Sequence, residues 1–98
     1  MSATYYYQVY IGNTEPARPN LGAIWVYCST GQVMMRVGRD WVVIAGFMPI
    51  ASFTEEYKFL SLHADGTAPT AVIGQMWLDT STNQNYIYIT DWTLVTGG

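Results

Sequence analysis

Apolar and polar positions along this chain alternate with a period of two, in short runs separated by turn residues, the pattern of β-strands rather than helices. Residues 4–11, TYYYQVYI, set Tyr5, Tyr7, Val9 and Ile11 against Tyr6, Gln8 and Tyr10 and give the strongest isolated strand signal. Further strands are predicted over residues 23–28, 32–37, 40–45, 75–79, 85–90 and 92–96. Ser29, Thr30 and Gly31, then Gly38 with Arg39, and residues 80–84 supply the turns. Residues 12–21, with Pro16 and Pro19, read as a loop.

Two of these stretches are copies of one template. Gly22, Trp25, Ser29, Thr30 and Gln32 recur at constant spacing as Gly74, Trp77, Ser81, Thr82 and Gln84. After one deletion beside Thr90, Asp40, Trp41 and Gly46 recur as Asp91, Trp92 and Gly97. Each copy is predicted to be a three-stranded meander, with Gly31 and Asn83 at the turn position where a left-handed backbone is tolerated. The expected architecture is all-β in a single domain, two meanders plus an N-terminal strand closing into a small β-sandwich or barrel. Its parts are a strand or arm with its loop (1–18), repeat one (19–46), a connecting segment (47–68) and repeat two (69–98).

The connecting segment carries two competing signals. Ser52 followed by Glu55 fits a capping box and a short helix. Tyr57, Phe59, Ser61 and His63, however, alternate with Lys58, Leu60 and Leu62 as a strand does, and no sustained helical periodicity follows, so the strand is preferred. Ala64, Asp65 and Gly66 are expected to turn.

Composition sharpens this picture. Ninety-eight residues hold one domain, and half of them are hydrophobic and 15% aromatic, enough to condense a core. Only 11% are charged, against roughly 25% in ordinary soluble domains, so much of the exterior is uncharged. Such surface is expected to be covered in a homo-oligomer or by another protein. The uncharged strand at 4–11 would aggregate as a bare edge, so it is expected to dock against a neighbouring subunit through Tyr5, Tyr6, Tyr7 and Tyr10. A net charge of −3, with Arg18, Arg36, Arg39 and Lys58 as the only basic residues, gives no footprint for nucleic acid. No basic region precedes an apolar run, so no secretory signal is expected, and residues 41–54 are interrupted by Gly46 and Pro49, so no membrane span is expected either.

Catalytic chemistry has little to work with. Cys28 is the sole thiol and His63 the sole imidazole, Cys28 aligns with Thr80 of the other copy, and Glu55 and Glu56 are adjacent and point apart. No phosphate loop, metal-ligand spacing or dinucleotide fingerprint occurs, so no catalytic residue, metal or cofactor is expected. The four tryptophans, Trp25, Trp41, Trp77 and Trp92, admit two roles, packing in pairs across each meander or forming a platform for sugar faces. The repeat preserves their spacing as it preserves the turns, which favours packing.

The template itself, with Gly before Ile-Trp-Val or Met-Trp-Leu, then Ser-Thr-Gly-Gln or Thr-Ser-Thr-Asn-Gln and a closing Asp-Trp, resembles a short β-module of tailed-bacteriophage virion proteins. The second copy, GQMWLDTSTNQNYIYITDW, matches best, and the first departs at Tyr27 and Cys28. The resemblance implies a non-enzymatic virion protein of the tail-fibre, head-fibre or capsid cement kind. With no coiled-coil heptads or collagen-like stretch, a compact cement or decoration subunit is the expected member. The family's habits imply a homotrimer bound to the major capsid protein or other virion proteins, made in the host cytoplasm and placed on the capsid surface. The alternative is a carbohydrate-binding or receptor-binding module of a phage fibre.

Overall fold

Nine strands form along the chain in the computed structural model, which describes residues 5–95. They are β1 (Tyr6–Gly12), β2 (Ile24–Tyr27), β3 (Gln32–Val37), β4 (Asp40–Gly46), β5 (Glu56–Ser61), β6 (His63–Asp65), β7 (Met76–Asp79), β8 (Gln84–Tyr88) and β9 (Trp92–Leu94). Five make one sheet in the order β4-β3-β2-β1-β5, and four make a second in the order β6-β7-β8-β9. The two sheets pack face to face as a small all-β sandwich with no helix among the described residues.

Both predicted meanders are present, β2-β3-β4 and β7-β8-β9, each antiparallel throughout. Their first turns share one backbone geometry. Gly31 and Asn83 take φ of 75° and 61°, and their N–H groups donate to Tyr27 O and Asp79 O at 3.0 and 2.7 Å. At the entry to each copy, Gly22 N and Gly74 N donate to Arg36 O and Tyr88 O at 2.9 and 2.8 Å.

The duplication extends further than the meanders. β1 lies parallel to β2 with Tyr10 opposite Trp25, and β6 lies parallel to β7 with His63 opposite Trp77. Each indole then donates to the neighbouring strand two residues on, Trp25 Nε1 to Gly12 O at 3.0 Å and Trp77 Nε1 to Asp65 O at 2.9 Å. Each repeat is therefore a four-stranded unit, a parallel strand followed by a meander. Tyr10, Gly12, Thr14 and Pro16 correspond to His63, Asp65, Thr67 and Pro69.

Three sequence expectations are corrected here. Residues 6–12 are not a free arm or an edge; β1 is an interior strand, parallel to β2 on one side and paired antiparallel with β5 from Tyr6↔Ser61 to Ile11↔Glu56 on the other. The connecting segment supplies that partner, so the uncharged strand is docked within its own chain. Ala64 and Asp65 belong to β6 rather than to a turn, because the parallel ladder to β7 runs to Asp65↔Asp79. The stretch from Tyr57 to His63 is broken at Leu62, whose N–H donates to Tyr5 O at 2.9 Å while the chain passes from the first sheet to the second. Residues 96–98, including Gly97, lie outside the described residues, as do residues 1–4.

Between the sheets sit Tyr7, Val9, Ile11, Ile24, Val26, Cys28, Val33, Ile44 and Ala45 from the first half and Met76, Ile87 and Ile89 from the second. The period-two alternation delivers them: Tyr7, Val9 and Ile11 share one side of β1, and Ile24 and Val26 share one side of β2. Tyr7 joins the halves, its hydroxyl accepting from Met76 N at 2.6 Å and donating to Gly74 O at 2.9 Å. Gly74 has φ of 94°, and a Cβ there would lie 2.7 Å from Val9 Cγ1, so only glycine fits. The accessible surface, 6001 Å², is near the ~5600 Å² scaling for a monomer of this mass, so one chain closes its own core.

Candidate interaction site

Side chains that alternate away from the inter-sheet core form the outer faces, and most of the candidate residues lie there. On the first sheet, Tyr10, Trp25 and Met34 are buried in a second small cluster with Tyr27 and Trp41 packed against it. Trp25 stacks on Tyr27 with centroids 4.5 Å apart and meets Trp41 edge to face at 5.5 Å. The Arg36 guanidinium sits 5.5 Å from the Trp41 ring centre. Tyr10 donates to Glu55 Oε2 at 2.8 Å and packs against Tyr57 at 4.6 Å. Burial first, and the Glu55 carboxylate second, push the Tyr10 phenol above its ordinary value. Glu55 is thus a partner for Tyr10 rather than the cap of a helix.

Towards the β5 edge the same face stays open. Tyr6, Tyr57 and Phe59 are 67%, 61% and 67% exposed. The antiparallel register Tyr6↔Ser61, Gln8↔Phe59 and Tyr10↔Tyr57 places all three on one side of the sheet, with Phe59 diagonal to Tyr6. Beside them, under the 13–21 loop, a shallow cleft is lined by Gln8, Tyr10, Arg18 and Tyr57. Within that loop Arg18 itself adopts a left-handed conformation, φ 52°.

On the second sheet the same scaffold carries different side chains. Trp77 meets Trp92 edge to face at 5.5 Å and 66°, reproducing the 5.5 Å and 67° of Trp25 and Trp41. Tyr86 takes the place of Met34 and stacks on Trp77 at 5.2 Å, and Tyr88 takes the place of Arg36 and meets Trp92 at 5.3 Å. All four rings are half-buried. His63 and Asp65 stand on the same side at the β6 edge, Nε2 of His63 lying 3.2 Å from Thr67 O and 3.8 Å from Asp65 Oδ2.

Of the four tyrosines assigned to an interface, the structure keeps two on the surface. Tyr7 and Tyr10 are buried within their own chain at 4% and 5% exposure, in different clusters, and neither presents a ring for a partner. Tyr5 is exposed and stacks on Tyr7 at 6.0 Å, while Tyr6 projects from the opposite face. Burial pushes the Tyr7 phenol up to about 12. The tryptophan pairs do contact each other across their meanders, but on the outer faces; only Trp25 is buried. Tyr57 and Phe59 were missed as surface residues, because their side of β5 is defined only by the pairing with β1.

Elsewhere, the candidate reactive groups have structural settings. Cys28 is fully buried, which pushes its thiol up. The Asp79 carboxylate accepts from Ser81 Oγ at 2.6 Å and Ser81 N at 3.0 Å, bonds that hold it below the ordinary carboxylate range and tie it to the turn. Among the described residues, no three potential metal ligands converge, and no helix is long and apolar enough to cross a membrane. Compared with known proteins, the chain matches no family model, no curated protein and no solved structure.

Proposed function

We propose that this protein is a non-enzymatic structural subunit of a tailed-bacteriophage virion, a capsid cement or decoration protein that assembles as a homotrimer and covers contacts between major capsid subunits. The exposed strip Tyr6, Tyr57 and Phe59 is the observation that carries the assembly role. At roughly 200 Å² per ring, two-thirds exposure leaves on the order of 400 Å² of contiguous aromatic surface. That is about half of the ~800 Å² each partner contributes to a standard interface, the size of a buried centre awaiting its rim. The virion setting rests on the resemblance of the tryptophan template. A ligand that binds only the assembled shell stabilises it by mass action, and needs no chemistry beyond complementary surface.

Because β1 is interior, deleting it removes the fold, so surface substitution is the informative test. The wild-type chain is expected to sediment as an oligomer and to pellet with phage capsids, and the double variant Tyr57→Lys, Phe59→Lys to stay folded but lose both. Wild-type protein that remains a single chain at micromolar concentration and fails to decorate capsids overturns the proposal.

A further inference from the structure

Two copies of one scaffold in one chain allow each outer face to be compared with the other. In the first copy Trp41 is the cross-strand partner of Arg36, and the guanidinium lies 5.5 Å from the ring centre, within cation–π range. In the second copy Trp92 faces Tyr88 at the equivalent pair. Tyr86 replaces Met34 and His63 replaces Tyr10. Asp79 stands where Tyr27 does, so each face keeps four Trp and Tyr rings, but the second moves two of them onto β8 and has no cation among them.

Formal charge follows the same division. Arg18, Arg36, Arg39 and Lys58 all precede the second sheet, whereas Asp65, Asp79 and Asp91 all lie in or beside it. Asp79 is engaged by Ser81, and Asp91 is exposed in the turn next to Trp92. The Asp65 side chain is 60% exposed and lies on the same face as Trp77. Besides Asp65, Asp79, Tyr86 and Tyr88, His63 is the one titratable side chain in the four strands of this sheet. Ring faces carry negative quadrupole, and with carboxylates at the rim and no Lys or Arg in the sheet, the surface is complementary to a cation.

We propose that the outer face of the second sheet, formed by Trp77, Tyr86, Tyr88 and Trp92 with Asp65 at its edge, docks an arginine side chain presented by a partner protein. The first copy shows what this tryptophan scaffold accepts, since there the chain supplies the guanidinium itself. Arginine suits the site better than lysine because its planar, weakly hydrated group stacks on rings and can also reach a carboxylate. The site uses different residues from the Tyr6, Tyr57 and Phe59 strip and does not depend on a virion role.

Titration with a blocked Arg-Gly-Arg peptide, followed by tryptophan fluorescence, tests this. Saturable change is expected with wild-type protein, weakening with added salt, and a Lys-Gly-Lys peptide is expected to bind several-fold more weakly. Tyr88→Arg places a guanidinium beside Trp92 as Arg36 stands beside Trp41, so it is expected to keep the fold by circular dichroism and to lose about tenfold in peptide affinity. Should that variant fail to fold, Tyr88→Leu, which removes a ring and adds no cation, is expected to weaken binding as well. Unchanged affinity in a folded Tyr88 variant, no response to the arginine peptide, or an equal response to a neutral chitin oligosaccharide overturns the assignment, the last in favour of a sugar platform.

Discussion

Tyr7 satisfies, with one hydroxyl, two backbone groups that the fold buries between its halves, Met76 N and Gly74 O. Tyr7→Phe keeps the ring and strands both, so it is expected to cost ~2–4 kcal/mol in urea denaturation. Its titration has a definite sign. Burial favours the neutral phenol in the fold and carries its pKa to about 12 from an unfolded value near 10. The folded state therefore keeps this contribution in full below pH ~10 and loses it between about pH 10 and 12. A shallower alkaline loss in Tyr7→Phe is the expected result; an unchanged slope would assign that limb to other tyrosines. Alternation placed Tyr7 with Val9 and Ile11 on one side of β1 and Tyr10 with Tyr6 and Gln8 on the other, as found, but it did not show that Tyr7 and Tyr10 are both buried, because both sides of β1 are aromatic. Only the second cluster, with Trp25 and Met34, explains why Tyr10 is buried too.

Strands and their turns were the most readable level. β3 spans the predicted residues, and Gly31 and Asn83 share a left-handed turn, since antiparallel neighbours joined by short turns are specified locally. The parallel pairs β1/β2 and β6/β7 were not read, because their partners are brought together across long loops that hydrophobic period does not register. A signal was nonetheless present in Thr14-Glu15-Pro16 and Thr67-Ala68-Pro69, which extend the repeat upstream. The tryptophans at these pairs differ in setting despite equal geometry: Trp25 is 6% exposed and Trp77 half-buried. Trp25→Ala should cost ~3–5 kcal/mol, and Trp77→Ala roughly half as much, in proportion to area withdrawn from water. Equal losses by thermal denaturation would contradict the distinction between a closed first face and an open second one.

For the molecule as a whole, internal duplication does not mean two folding units. Met76, Ile87 and Ile89 of the second sheet share one core with Val9, Ile24 and Val26 of the first, and Val9 fills the space that Gly74 leaves. Denaturation is expected to be a single transition, with circular dichroism and tryptophan fluorescence coincident, although two tryptophans stand in each sheet. Separate midpoints would show halves that stand alone. The shortage of charge, read from composition, is answered in two ways that composition could not apportion. Some rings are enclosed, as at Tyr7, Tyr10 and Trp25, and others are left outside, as at Tyr6, Tyr57 and Phe59.

Leu62 alone separates β5 from β6, so a single residue carries the chain from one layer to the other while its N–H is tied to Tyr5 O. The short tether and the core shared by both sheets set the layers one stacking distance apart. Any bodies bound on its two outer surfaces would therefore be separated by one sheet-to-sheet stacking distance, ~10 Å between backbones, plus the depth of the rings.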